Sequence, residues 1–305
     1  MTPGRLVRLH TRLRRATWRG QRIDWSGYLF VLPFFTFFML FTAGAITFGV
    51  GLSFTEWGIV GEMKWVGLDN FREIFTDELA VKAFLNTFRY AAVIVPGVTI
   101  LAFLFALFVH QRWPGHAFAR VAFFAPYVCA ATVIGLIWVW LLDTHFGLIN
   151  LYLGKLGIPP VPWLTSTRWS WVGVSITSIW WDLGFSFVLL LAGLQEVPPE
   201  LIEAALIDGA NRLQSLWHVT LPLLRPVISM VVVLQTISTL RIFSQVVVMT
   251  AGGPAASSTS VIHYLYAYGL TRGRFGYAAA IAMMLFVVTL VVTLLYRRLM
   301  KESVE

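Results

Sequence analysis

Long runs of uncharged, mostly apolar residues alternate along the chain with short polar segments. Each run has the roughly 20 residues that a helix needs to cross a hydrocarbon core of about 30 Å. None alternates apolar and polar residues with the period of two that is typical of barrel strands. Only two runs contain a charge, Asp182 in the fourth and Arg241 in the fifth. The pattern predicts an all-α integral membrane protein with six transmembrane helices, at 28–48, 90–109, 121–142, 169–194, 227–250 and 275–296.

The composition excludes the main soluble classes of protein. Hydrophobic residues make up 58% of the 305 positions and charged residues 12%, whereas a soluble domain carries about 25% charged residues. The formal net charge of +8 does not indicate nucleic-acid binding, because the basic residues are concentrated at the ends of the apolar runs. One cysteine allows no disulfide within the chain.

Lysine and arginine predict the orientation of the helices. They are more numerous on the cytoplasmic side when both termini are placed there, so we expect an N-in, C-in topology. The domains are then a basic cytoplasmic arm (1–27), a six-helix domain (28–298) and a cytoplasmic tail (299–305). The first apolar run is longer than that of a signal peptide and lacks its small-residue cleavage site. The arm is expected to contact anionic lipid through Arg5, Arg8, Arg12, Arg14, Arg15, Arg19 and Arg22.

Three segments on the predicted outer side contain organised sequence. In residues 55–89, Asp69 and Asn70 are typical of a helix start. Residues 143–168 predict a short helix at the outer surface, ended by paired prolines. Residues 251–274 begin with "AGGP", which predicts a turn.

The cytoplasmic segment 195–225 is too long for a simple connection, which needs about two to eight residues. Pro199 suits the first turn of a helix, and Gly209 is placed to end it. A second short helix is expected at 213–219, with Pro222 stopping it before the fifth span. The segment is therefore predicted to be a helix–turn–helix that another protein contacts.

The sequence "EAALIDGANRLQSLWHVTLP" within this segment resembles the EAA loop of the membrane subunits of ATP-binding-cassette importers. In that motif Glu-Ala-Ala is followed by Gly six residues after the Glu, and later by Leu-Pro. The resemblance implies a coupling helix that contacts a cytoplasmic ATPase. The residues expected to make this contact are Glu203, Ala204, Ala205, Asp208, Gly209, Ala210, Leu221 and Pro222.

Further stretches resemble the carbohydrate branch of these importers, and within it the first permease subunit of maltose and glycerol-phosphate type systems. They are "WVGLDNF", "FGLINLYLGKLG", "GLQEVPPELIEAALIDGA", "TAGGP" and "GYAAAIAMML". The resemblance implies a non-enzymatic subunit in the bacterial inner membrane, with a second permease, two ATPase copies and an extracytoplasmic sugar-binding protein as partners. No cofactor is expected on this chain. It has no G-x-x-x-x-G-K-[ST] sequence, so ATP is expected on the partner ATPase.

Polar residues of the fourth and fifth spans are candidates for contact with the sugar, because charges within a membrane span are costly and often functional. Ser175, Ser178, Asp182 and Ser186 are spaced to share one helix face, and Gln235, Ser238, Arg241 and Gln245 form a second group. Sugar hydroxyls need hydrogen-bond partners, and aromatic faces can cover sugar C–H groups. The expected substrate-binding residues are Trp181, Asp182, Phe185, Ser186, Gln235, Ser238 and Arg241.

Other interpretations of these residues remain open at this point. The serines commonly bond to their own helix backbone, Asp182 can pair with Arg241, and Arg241 can extend to the membrane surface. The chain can also be an ion-gradient-driven secondary carrier, with Asp182 as its proton or cation site. The EAA-like loop and the lack of inverted repeats argue against this alternative.

Overall fold

The computed structural model describes residues 25–59, 61–111 and 113–301. Its contacts divide the chain into two units, Met1–Gly51 and Leu52–Glu305. Within the described residues the secondary structure is almost entirely helical, and the helices are α1 (Trp25–Phe37), α2 (Gly44–Ser53), α3 (Asp69–Thr76), α4 (Glu78–His110), α5 (His116–Val128), α6 (Ala131–Leu141), α7 (Leu148–Lys155), α8 (Ser170–Glu196), α9 (Pro199–Ile207), α10 (Arg212–Ser215), α11 (Leu221–Leu240), α12 (Ser244–Thr250), α13 (Val261–Tyr266) and α14 (Phe275–Lys301).

The first unit contains one apolar helix, which confirms the first predicted span. Helices α1 and α2 are joined by a π-helical turn at Phe38–Ala43. No residue in the most apolar 18-residue window of Tyr28–Ser53 is buried, so this helix requires a hydrocarbon environment. The basic arm predicted over 1–27 lies outside the described residues, except for the backbone of its last three positions.

A short hairpin and a helix follow on the predicted outer side. Strand β1 (Thr55–Glu56) pairs antiparallel with β2 (Lys64–Trp65), and α3 then confirms the predicted helix start. The side chain of Asn70 does not cap α3. It donates to the backbone carbonyl of Thr55 at 2.9 Å and thereby fastens the helix to the hairpin.

The core of the second unit is built on α4 and α8, which confirm the second and fourth predicted spans. Small residues allow close packing: a Cβ at Gly97 of α4 would lie 2.8 Å from the side chain of Ile179 of α8. A Cβ at Gly184 would lie 2.9 Å from the carbonyl oxygen of Phe123 of α5. A main buried cluster consists of Ala102, Ala106, Val109, Ala119, Leu183, Phe187, Leu190, Leu191, Leu194, Leu224 and Val231.

The third predicted span is not one continuous helix, and the prediction of a single helix over 121–142 is wrong. Helices α5 and α6 are bent by 101° at Cys129 and Ala130, which are both extended. Pro126 lies one turn before the break and has no N–H to contribute to the helix. The carbonyl of Cys129 instead accepts a hydrogen bond from the indole of Trp181, 3.2 Å away. The two helices are either a broken span or a re-entrant loop.

The fifth span begins earlier than predicted. One apolar helix extends over Arg212–Leu240, so the separate helix expected at 213–219 and the stop expected at Leu221 and Pro222 are wrong. A π-helical turn at Leu216–Thr220 directly precedes Pro222. Its wider spacing accommodates a residue that lacks an N–H.

The fifth span also ends earlier than its predicted limit of 227–250. Helix α11 ends at Leu240, and the N–H groups of the next two residues bond three residues back, which tightens the last turn. The chain is non-helical until α12 starts at Ser244. The carbonyl of Ile242, released by this break, accepts from Ser260 Oγ at 2.6 Å.

The predicted turn at "AGGP" is confirmed and leads into a compact loop at 251–260. Ala251, Ala255 and Ala256 all have positive φ, a conformation that costs non-glycine residues free energy. Polar side chains of α4 bond to carbonyls of this loop: Lys82 Nζ to Ala255 at 2.7 Å, Asn86 Nδ2 to Ala256 at 3.0 Å and Tyr90 Oη to Ser258 at 2.9 Å. These bonds hold the loop against the N-terminal half of α4.

Asp77 connects the start of α4 to α13 and α14. Its carboxylate accepts from the N–H of Leu79 and Ala80 and from the hydroxyls of Tyr264 and Tyr277. Burial raises the pKa of Asp77, but the hydrogen bonds from Tyr264, from the two N–H groups and from Tyr277 outweigh it. The pKa therefore lies below its ordinary value of 3.8.

The described residues contain five helices that are long and apolar enough to cross a membrane, or six if the bent pair α5–α6 is one span. The chain is therefore an all-α, multi-pass membrane protein, as predicted. The sixth predicted span corresponds to α14, which runs over Phe275–Arg298 in its apolar part. The N-in, C-in orientation stays a prediction.

Candidate functional site: a polar cavity and an exposed loop

A polar cavity of about 190 Å³ lies where α8, α11 and α12 meet. Its lining includes residues from both sets of polar residues that the sequence singled out, the set on the fourth predicted span and the set on the fifth. Its lining consists of Ile94, Ala131, Ser178, Trp181, Asp182, Ser238, Thr239, Arg241, Ile242, Phe243, Ser244 and Gln245. Carboxylate, guanidinium, amide and hydroxyl groups are thus presented together beside one indole ring.

Asp182 and Arg241 both line this cavity without forming an ion pair. Ion pairs between described residues join Arg72 to Asp69 and Arg274 to Glu73, and neither includes Asp182 or Arg241. Asp182 is 7% exposed and makes no hydrogen bond within the part of the chain that the structure describes. A buried carboxylate without a partner is costly. Its position on the cavity wall therefore favours contact with a ligand or water over a role in packing.

The serines of α8 have the backbone bonds that the alternative interpretation expected. Ser175 Oγ donates to the carbonyl of Trp171 at 2.7 Å, and Ser178 Oγ donates to that of Val174 at 2.8 Å. Ser178 still lines the cavity through an oxygen that can accept a further bond, whereas Ser175 is absent from the lining.

Three predicted substrate residues lie outside the lining of the cavity. Gln235 Nε2 donates to Ser186 Oγ at 2.9 Å, and both residues are buried between α8 and α11. Phe185 stacks on Tyr127 with a centroid separation of 5.4 Å. The structure therefore brings together Trp181, Asp182, Ser238 and Arg241 of the predicted set but not these three.

Sequence reasoning missed several lining residues. Thr239, Ile242, Phe243 and Ser244 line the cavity because α11 ends at Leu240 and the chain turns there. Hydropathy gave no signal of this turn, since the apolar run continues through it.

The segment after α8 folds as predicted in its first half. Helix α9 contains no buried residue, and Glu203 and Ala204 are exposed on it. The helix ends in a Schellman motif: the N–H of Ala210 bonds to the carbonyl of Ala205 at 2.9 Å, and Gly209 has φ of +90°. Asp208 lies in the last turn and is exposed.

The next helix begins with a capping box at Asn211. Its side chain accepts from the N–H of Gln214 at 2.8 Å, and Gln214 Oε1 accepts from the N–H of Asn211 at 2.7 Å. A shallow pocket between the two helices is lined by Ala205, Asp208, Gly209, Ala210, Gln214, Ser215, His218 and Val219. Six of the eight predicted contact residues thus lie on one exposed loop, defined here as residues 199–215. Leu221 and Pro222 belong to the helix that follows this loop in the chain.

Residues 78–302 match the family of the binding-protein-dependent transport system inner membrane component. The trehalose/maltose transport system permease protein MalF of Thermococcus litoralis is 33% identical over 272 residues, 88% of this chain and 92% of that protein. The diacetylchitobiose uptake system permease protein NgcF of Streptomyces coelicolor is 34% identical over 276 residues, 85% of this chain and 77% of that protein.

The fold is similar to that of a chain in a bacterial alginate ABC transporter, solved in complex with an alginate pentasaccharide-bound periplasmic protein. The TM-score is 0.82 at 23% sequence identity, covering 92% of this chain and 96% of the other. At this identity the similarity concerns the fold alone.

Proposed function

We propose that this chain, which belongs to the family of the inner membrane component of binding-protein-dependent transport systems, forms half of the path by which a sugar crosses the membrane. It is a permease subunit of an ATP-binding-cassette importer. Membership of this family gives no support to the alternative of an ion-gradient-driven carrier. The sugar is proposed because named relatives transport trehalose and maltose, diacetylchitobiose or multiple sugars.

Four kinds of partner follow from this proposal. A second permease completes the path, two copies of a cytoplasmic ATPase supply the energy, an extracytoplasmic binding protein delivers the sugar, and the bilayer surrounds the helices. The chain itself performs no hydrolysis, and ATP binds to the ATPase subunits. The similar alginate transporter was solved with a periplasmic protein, which supports a binding-protein partner.

The exposed loop is proposed to contact the ATPase. The observation that carries this proposal is a helix with no buried residue, ended by Gly209 at φ +90° and held by its own cap bonds. A preformed helix loses little conformational entropy when it binds. Closing of the ATPase would then move α9 and change access to the cavity between the two sides of the membrane.

The polar cavity is proposed to contact the sugar. Asp182 and Gln245 can accept hydroxyl hydrogens, Arg241 can donate to hydroxyl oxygens, and the indole of Trp181 offers an apolar face. The second permease would supply the remaining wall.

Co-purification tests the loop. The tagged chain is expected to purify in mild detergent with an ATPase and a second permease. Glu203→Lys should abolish ATPase recovery and sugar uptake but retain the second permease, because it reverses a charge on the exposed face of α9. Glu62→Lys, an equal charge reversal on the hairpin of the opposite predicted side, is the control. Recovery of the ATPase with Glu203→Lys at the level of the unaltered chain would refute the loop's role.

Uptake kinetics test the cavity separately. Asp182→Asn and Ser238→Ala are expected to change the KM or kcat for sugar uptake, with ATPase recovery unchanged. Ser175→Ala is the matched control, because this serine bonds to its own helix outside the lining. If neither cavity variant alters uptake at any sugar concentration, the cavity is structural.

A further inference from the structure

A second polar cleft lies between the ends of α4 and α8 and the start of α5, and it shares no described lining residue with the proposed sugar cavity. Its volume is about 510 Å³, and it is lined by Val109, His110, His116, Arg120 and Gln195. Two imidazoles, one guanidinium and one carboxamide contribute to it, and none of the described residues that line it is acidic. In the predicted topology this cleft opens at the cytoplasmic surface of the membrane.

The side chains from α5 are arranged to donate hydrogen bonds. His116 and Arg120 are four residues apart and therefore lie on one face of the helix. His116 Nδ1 lies 3.1 Å from the carbonyl of Trp113. A carbonyl can only accept, so Nδ1 carries a proton, and Nε2 also donates, toward an anion, when the imidazole is doubly protonated. Arg120 is exposed and forms no ion pair within the described residues.

Within the described residues, no acidic side chain lines the cleft to balance Arg120. Glu196, the acid next to Gln195 in sequence, is not among the lining residues. Helix α5 starts after Gly115, whose φ is +102° and which has no side chain to cap the first turn. The positive end of the helix dipole therefore adds to the guanidinium.

We propose that this cleft binds a phosphate group. The guanidinium of Arg120 and the Nε2–H of a doubly protonated His116 match the geometry of phosphate oxygens, and the carboxamide of Gln195 adds a neutral donor. The phosphate can be that of an anionic phospholipid in the inner leaflet or free inorganic phosphate. Phe118, two residues before Arg120, and Val121, directly after it, are 78% and 66% exposed, so acyl chains would have apolar side chains to contact.

Binding there would connect two parts of the transport machinery. His116 and Arg120 follow the turn between α4 and α5, and Gln195 precedes the start of α9 by four residues. A phosphate contacted by both would hold that turn against the base of the loop proposed to contact the ATPase. The site itself does not depend on the proposed function, since the cleft and its charges are present in this chain alone.

Native mass spectrometry of the detergent-purified chain, titrated with phosphatidylglycerol or phosphatidylcholine, tests the site. One phosphatidylglycerol is expected to bind in preference to phosphatidylcholine. Arg120→Gln and His116→Gln should each weaken its affinity by about tenfold or more, because each removes a bond to a charged group. Arg120→Lys, which keeps the charge, should lose less. Arg297→Gln, an exposed arginine at the end of α14, is the control and should leave the affinity unchanged.

A second titration with inorganic phosphate separates the two sources. Binding of inorganic phosphate that Arg120→Gln abolishes, with no preference for phosphatidylglycerol, would support the site with the free anion as its ligand. Equal affinities in Arg120→Gln, His116→Gln and Arg297→Gln for both ligands would overturn the proposal. Unchanged size-exclusion profiles and unfolding temperatures without lipid would show that the variants are folded.

Discussion

Replacing Gly209 by alanine tests whether the backbone conformation at the end of α9 stabilises the exposed loop. Gly209 has φ of +90°, and a Cβ built there has no heavy atom within 4 Å. The substitution therefore adds no clash, and its cost comes from the left-handed conformation alone, about 1–2 kcal/mol. That free energy corresponds to a roughly 5- to 30-fold increase in the population of loops with an opened helix end.

Hydrogen exchange measures this population directly. The N–H of Ala210 bonds to the carbonyl of Ala205, and it exchanges only when the motif opens. Its protection factor should fall roughly 5- to 30-fold in Gly209→Ala, and less in Gly209→Asn, because asparagine tolerates positive φ better. Gly154→Ala, on an exposed helix with ordinary φ, is the control. An unchanged protection factor for Ala210 in Gly209→Ala would refute the reasoning.

Three further predictions concern packing, backbone freedom and pH. Gly184→Val should lower the unfolding temperature in detergent, because its Cβ meets the backbone of Phe123 and overpacking costs about 1–3 kcal/mol; an unchanged temperature would show that α5 can shift. Gly154→Ala should leave that temperature equal or higher, since it removes backbone freedom from an exposed helix. Because folding lowers the pKa of Asp77, the ionised carboxylate stabilises the fold at pH values above 3.8, the ordinary pKa. This stabilisation is lost as the pH falls through the lowered pKa. Asp77→Asn should therefore be less stable than the unaltered chain at pH 7, with the difference disappearing in acid; a constant difference would contradict this assignment.

The positions of the apolar helices could be predicted from sequence because each must bury about 20 consecutive apolar residues in lipid. The bend between α5 and α6 could not be predicted from the hydropathy of the chain. Pro126 removes one helical hydrogen bond near the break, but the sequence does not show that the Cys129 carbonyl accepts from Trp181, which lies 52 residues further along the chain. A hydropathy pattern registers the composition of the run but not whether a distant side chain can satisfy its backbone.

The candidate cavity could be predicted only in part, because some of its lining residues also depend on contacts between distant parts of the chain. Trp181, Asp182, Ser238 and Arg241 stand out in sequence because they are polar or aromatic within apolar spans. Residues that line the cavity through the turn after Leu240 are not distinguished in this way. Their position follows from the bond between Ser260 and the carbonyl of Ile242, which again joins distant parts of the chain.

The helix that extends over Arg212–Leu240, with a π-helical turn near its start, has a mechanical consequence. Its 29 residues make a rod about 43 Å long at 1.5 Å per residue. One end is next to the exposed loop, and the other ends beside Arg241 at the cavity. A tilt of about 5° around one end would displace the other by roughly 4 Å, more than the length of a hydrogen bond. A small rotation at the membrane surface is therefore enough to break or form contacts with a molecule held in the cavity.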